Sequence, residues 1–92
     1  MRNELRKEIR NVIAELESEN PDWSYVCSNL EDVLDEEVEA RDNTPENLQG
    51  TDAYEVRVES CDLLEDAIDE IDEEDPGSAC RIIKILKQID GV

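Results

Sequence analysis

Histidine and phenylalanine are both absent from this chain of 92 residues, and basic residues are scarce, nine Lys and Arg standing against 27 Asp and Glu. Without histidine there is no ready general base, no side chain to activate a thiol, and no imidazole to complete a zinc site. One Trp and two Tyr are the only aromatics, so a core has to be built from Leu, Ile and Val. Glycine-rich phosphate loops are missing too. Cys27, Cys61 and Cys80 are far apart and form no Cys-x-x-Cys pair; they read as free thiols buried like small hydrophobes in a reducing cytosol. The first residues lead into an amphipathic segment and not a continuous apolar run, so neither a signal peptide nor a membrane span is expected, and the expected location is cytoplasmic.

What is abundant is negative charge, and it is unevenly placed. The formal net charge is -18, yet residues 1 to 13 and residues 78 to 92 are each net +2, which leaves -22 on the stretch from Ala14 to Gly77. The basic ends are too few to neutralise the acidic middle. Direct binding to DNA, RNA or an anionic membrane is disfavoured, because those partners attract Lys and Arg. A basic protein surface is favoured, with an association rate that salt suppresses.

The apolar residues recur at helical period in four segments, which predicts one all-α domain over residues 1 to 92. The first helix, about 3 to 18, carries Leu5, Ile9, Val12, Ile13 and Leu16 on one stripe. Asn20 and Pro21 fit an N-cap and first helical position for a second helix, about 21 to 41, with Trp23, Val26, Cys27, Leu30, Val33, Leu34 and Val38 inward. A third, about 52 to 73, opens on Asp52 and Glu55 as a capping box and has a wide apolar arc around Val58, Cys61 and Leu64. The fourth, about 76 to 90, turns Ala79, Ile82, Ile83, Leu86 and Ile89 inward and leaves Ile85 partly outside. These predict a small four-helix bundle with helices two and three as a central acidic hairpin. In the loop between them, Thr44 is expected to cap a short turn closed by Gly50 at positive φ, with Leu48 pinning the turn to the core.

That loop, read as Asp42-Asn43 and Pro45-Glu46-Asn47-Leu48-Gln49, together with Leu64-Glu65-Asp66-Ala67-Ile68-Asp69, resembles a pattern of small, acidic, helical proteins encoded by bacterial phages and mobile elements. The resemblance covers about a third of the chain and supplies no catalytic residues. It implies a genetic setting in which short acidic proteins often disable host defence nucleases.

Glu55, Glu59, Asp62, Asp66, Asp69 and Glu73 follow one another at steps of four and three, an unbroken acidic line on the third helix. Each neighbouring like-charged pair costs about 0.2 to 0.5 kcal/mol. On the second helix Asp32, Asp35, Glu36 and Glu39 make a similar stripe. A calcium loop does not explain these acids: the best alignment starts at Asp72 but places Pro76 and Ile83 where oxygen ligands are required. Solvated carboxylates outside a water-excluded pocket have nothing to set their pKa values apart, so no enzyme, metal or cofactor is expected. The expected function is a protein–protein inhibitor that mimics nucleic acid in the groove of a basic, nucleic-acid-binding enzyme. Its contact residues are Asp32, Asp35, Glu36, Glu39, Glu59, Asp62, Asp66, Asp69 and Glu73. Two other readings stay open: a helical module that self-associates as a homodimer through Ile85 and Val56, its charge serving solubility, and a surface adapted to concentrated salt. Segregation of the acids by helix face favours a partner over general salt adaptation.

Overall fold

The computed structural model describes residues 1–92 and contains four α-helices and no strand. They are α1 (Asn3–Leu16), α2 (Trp23–Asp42), α3 (Asp52–Asp69) and α4 (Ser78–Leu86), with a single 3-10 turn at Glu46–Leu48 between α2 and α3. Helix α2 packs on α1 and α3, α3 on α4, and α4 returns to α1. The result is a rod of 46 × 20 × 19 Å. No helix is long and apolar enough to cross a membrane.

The helical periods place the core where they predict it. Leu5, Ile9, Val12, Ile13 and Leu16 of α1 meet Val26, Leu30 and Val33 of α2, Leu64 and Ala67 of α3, and Ile82, Leu86 and Ile89 from the last segment. Helix α4, at nine residues, rises only about 13 Å, whereas α2, at 20 residues, rises about 30 Å. The fourth wall therefore stops short, and the distal end of the α2–α3 pair is not closed by it. Ile85 is half-buried, packed against the core with part of its side chain outside, as its position on the apolar stripe predicts.

Several ends differ from the periodic reading, each for a local reason. Asp22, not Asn20, caps α2, its Oδ1 accepting from the Tyr25 amide at 3.2 Å. Thr51, not Asp52, caps α3 by accepting from the Tyr54 amide. Thr44 donates back to the Ala40 carbonyl at 2.9 Å and caps nothing. Gly91 has the only positive φ, at 82°, so Gly50 does not use the left-handed region. At Gly91 the turn presents its carbonyl to Arg10 at 2.7 Å, and a Cβ there would fall 2.5 Å from the Arg6 Nε. Leu48 remains 47% exposed and does not pin the loop to the core. Of the thiols only Cys61 is buried; Cys27 is half-buried and Cys80 is exposed.

Helix α3 ends at Asp69, four residues before the acidic pattern does. Carboxylates at a helix C-terminus oppose the macrodipole, and Glu70, Asp72, Glu73 and Glu74 crowd there. The buried Ser78 hydroxyl donates to the Glu70 carbonyl and accepts from the Asp72 amide at 3.1 Å, which diverts two groups from helix continuation. Arg81 then bridges Glu70 and Asp75, each at 2.7 Å.

The Arg81 hydrogen bond, aided by the Gly77 amide, holds the Asp75 carboxyl below its ordinary value of 3.8. A depressed carboxyl pKa contributes stability that is fully present above the unfolded value and is lost as pH falls through the folded one. Asp75→Asn is accordingly expected to be less stable than the parent at neutral pH, with the difference shrinking below the ordinary carboxylate pKa. Urea melts of both proteins at about pH 7 and about pH 3 check this; a gap that stays constant would show that the Asp75 charge is not what matters.

Candidate partner-binding surface

All nine residues of the expected surface, Asp32, Asp35, Glu36, Glu39, Glu59, Asp62, Asp66, Asp69 and Glu73, are exposed. Eight lie on α2 or α3; Glu73 lies beyond the last residue of α3. The helical part of the line, Glu55 to Asp69, spans about 21 Å at roughly 1.5 Å per residue.

Helix α3 runs antiparallel to α2. Cys27 near the start of α2 feels Glu73 beyond the end of α3, and Arg41 at the end of α2 sits within the field of Cys61 and Glu65. Across the two helices the one ion pair is Glu37 of α2 with Arg57 of α3. The two stripes thus run along neighbouring rods in opposite chain directions.

The five arginines that form ion pairs do so with acids outside the α3 line. Arg81 holds Glu70 and Asp75, Arg41 holds Asp42, Arg6 holds Asp90, and Arg57 faces Glu37. Among the nine expected contact residues only Glu36 has an ion-pair partner, Arg2 at 2.9 Å. No Lys or Arg nitrogen comes within 4 Å of a carboxylate from Glu55 through Glu59, Asp62, Asp66 and Asp69 to Glu73. Of the basic ends, Arg6 and Arg10 meet residues 90 and 91, Arg2 meets Glu36, and Arg81 meets Glu70 and Asp75 beside the end of the acidic line without pairing with its members.

No three carboxylate or thiol groups converge as metal ligands. Burial, with Glu31 and Glu73 nearby, pushes the Cys27 thiol up, and burial does the same to Cys61. Both therefore stay protonated at neutral pH, and neither is poised as a nucleophile.

Periodicity alone did not single out Glu37 and Arg57. Glu37 is 1% exposed, faces Arg57 Nε at 3.7 Å, and both polar atoms lack a hydrogen bond. The signal was available: Glu37 falls four residues after Val33 and seven after Leu30, and Arg57 seven before Leu64, so both stand on apolar arcs. Two hollows flank Arg57. A groove of about 710 Å³ lies where α4 falls short, walled by Met1, Leu48, Tyr54 and Val56. A smaller pocket of about 320 Å³ lies between the start of α1 and the end of α2. In comparisons with protein families, with curated proteins and with solved structures, nothing matches this chain.

Proposed function

We propose that this protein is a stoichiometric inhibitor that acts as a nucleic-acid mimic against a DNA- or RNA-binding bacterial defence enzyme, such as a CRISPR nuclease or a restriction system. The observation that carries the proposal is the exposed acidic line of α3, which has no counter-ion of its own, on a helix that packs against α2. One line alone offers about one charge per 5 Å, whereas a duplex presents about one per 1.7 Å with both strands counted. Two antiparallel stripes on adjacent rods bring the density to about one per 2.5 to 3 Å. The α2–α3 pair then serves as the acidic hairpin that enters the Lys- and Arg-lined groove, and it gains from the same counter-ion release that drives the enzyme onto DNA.

Pull-down from a host lysate at low and high salt tests this, followed by titration of the captured protein. The captured protein is expected to be a basic nuclease. Its affinity should fall on the order of a thousandfold between about 50 and 200 mM salt if six or more ion contacts form. Affinity that is flat in salt would sink the reading.

Self-association is favoured as the second reading by the open groove, in which Val56 stands beside Tyr54 and the exposed Leu48. Salt separates the two. Screening weakens a charge-driven heterocomplex but strengthens contact between copies that each carry -18, so sedimentation at rising salt distinguishes them.

A further inference from the structure

The pocket between the start of α1 and the end of α2 is lined by Arg2, Glu36, Glu37, Glu39 and Arg57 around Leu5. Its ionisable lining carries three carboxylates against two guanidinium groups. Arg2 is hydrogen-bonded to Glu36 at 2.9 Å, and Arg57 is the only cation near Glu37. Glu39 has none. The pocket is therefore one positive charge short.

Its floor is unsatisfied as well. Glu37 Oε2 is buried without a hydrogen bond, and at 3.7 Å its distance to Arg57 Nε exceeds the usual N–H···O range of about 2.7 to 3.2 Å. A buried ion pair held by charge alone forgoes the hydrogen bonds that normally offset its desolvation. Arg57 makes no other ion pair, is 31% exposed, and lines both the pocket and the larger groove that also contains Asp90.

We propose that this pocket is a socket for a single arginine side chain of the partner. The incoming guanidinium donates to Glu37 Oε2 and supplies the missing positive charge, with Glu39 at the pocket's rim as the unpaired carboxylate it offsets and Arg57 remaining in place. A volume of about 320 Å³ is at the small end for ligand sites, which suits one side chain better than a drug-sized molecule. Arginine is preferred to lysine because its planar fork offers two parallel donors to a carboxylate. The socket rests on the inhibitor reading, in that the guest is a residue of a nucleic-acid-binding groove, and it adds a fixed anchor to an otherwise distributed charge contact.

The test uses the whole protein and methylguanidinium as the probe, followed by NMR at the Glu37 side-chain carboxyl carbon and the Arg57 Nε. Saturable one-to-one shifts at both groups are expected, with methylammonium binding more weakly. Glu37→Gln should lower methylguanidinium affinity by at least about tenfold, the loss of one charge-assisted hydrogen bond. Glu39→Gln, at an exposed position where the fold is not at stake, should lower it a few-fold. Shifts that grow linearly and equally at Glu37, Asp62 and Asp66, or affinity unchanged in both variants, would overturn the socket. Because no macromolecule is present, that failure leaves the acidic-line reading intact. Conversely, a protein that fails to capture any basic partner but binds the probe at Glu37 loses the inhibitor reading and keeps the socket.

Discussion

Asp62→Lys, Asp66→Lys and Asp69→Lys introduced together are expected to abolish binding to the basic partner while raising the melting temperature. The three side chains lie in the middle of the α3 line, are exposed, and have no counter-ion in the folded protein. Within α3, reversal turns the 59–62, 62–65 and 65–69 neighbours from repulsive to attractive and leaves the 62–66 and 66–69 neighbours repulsive with the opposite sign. At about 0.2 to 0.5 kcal/mol for each like or unlike pair, the three converted pairs contribute roughly 1.2 to 3 kcal/mol. Relief of the overall negative charge acts in the same direction. For a domain of this size about 1 kcal/mol corresponds to roughly 4 to 8 °C in Tm. Binding moves the other way, because three attractions become three like-charge contacts; a loss of about 3 kcal/mol or more, over a hundredfold in Kd, is the expected floor. Thermal melts and a binding titration on the same preparation check both halves. A variant that is stabilised yet binds normally removes α3 as the interface, whereas one that binds poorly because it is unfolded fails the melt first.

Why the line stays bare while the core forms as expected is a matter of which forces are periodic. Apolar spacing located all four helices and nearly all of the buried residues, since a stripe of Leu, Ile and Val has one economical place to go. The ends were less legible. Asn20 and Asp22 are both competent caps, and so are Thr51 and Asp52; which one captures an amide depends on how the preceding loop enters the helix, a tertiary matter. Periodicity also carried the third helix to Glu73, but the macrodipole and the Ser78 hydroxyl end it at Asp69. Leu48 was assigned to the core on hydrophobicity alone, whereas the shortness of α4 leaves no wall for it to pack against. The acidic stripes were legible as faces, and the structure adds that, apart from Arg2 on Glu36, the paired arginines choose other acids. Glu37 and Arg57 went unnoticed for an instructive reason: in a chain with 27 carboxylates, one that falls on the apolar arc is hard to distinguish from the many that do not.

That buried pair gives the other large effect. Arg57→Leu is expected to destabilise the fold by about 3 kcal/mol, the low end of the cost of removing one partner from a buried ion pair, because Glu37 is left alone at 1% exposure. The low end applies since Arg57 is partly exposed and holds Glu37 without a hydrogen bond. Against a total of roughly 5 to 15 kcal/mol this is a substantial share, and it should lower Tm by more than about 10 °C. Replacing both residues, Glu37→Leu with Arg57→Leu, should recover all of that loss and bring stability level with the parent or up to a few kcal/mol above it. Two desolvated charges are then exchanged for apolar contact between α2 and α3. Chemical denaturation of the parent, the two single variants and the double variant forms a closed cycle, with a coupling energy of up to about 3 kcal/mol expected for groups in contact. If the double variant is no better than Arg57→Leu alone, the pair is not the strained feature its geometry describes. If it is the most stable of the four, the pair lowers stability in the parent, and a role in recognition becomes the physical reason to carry two charges between α2 and α3.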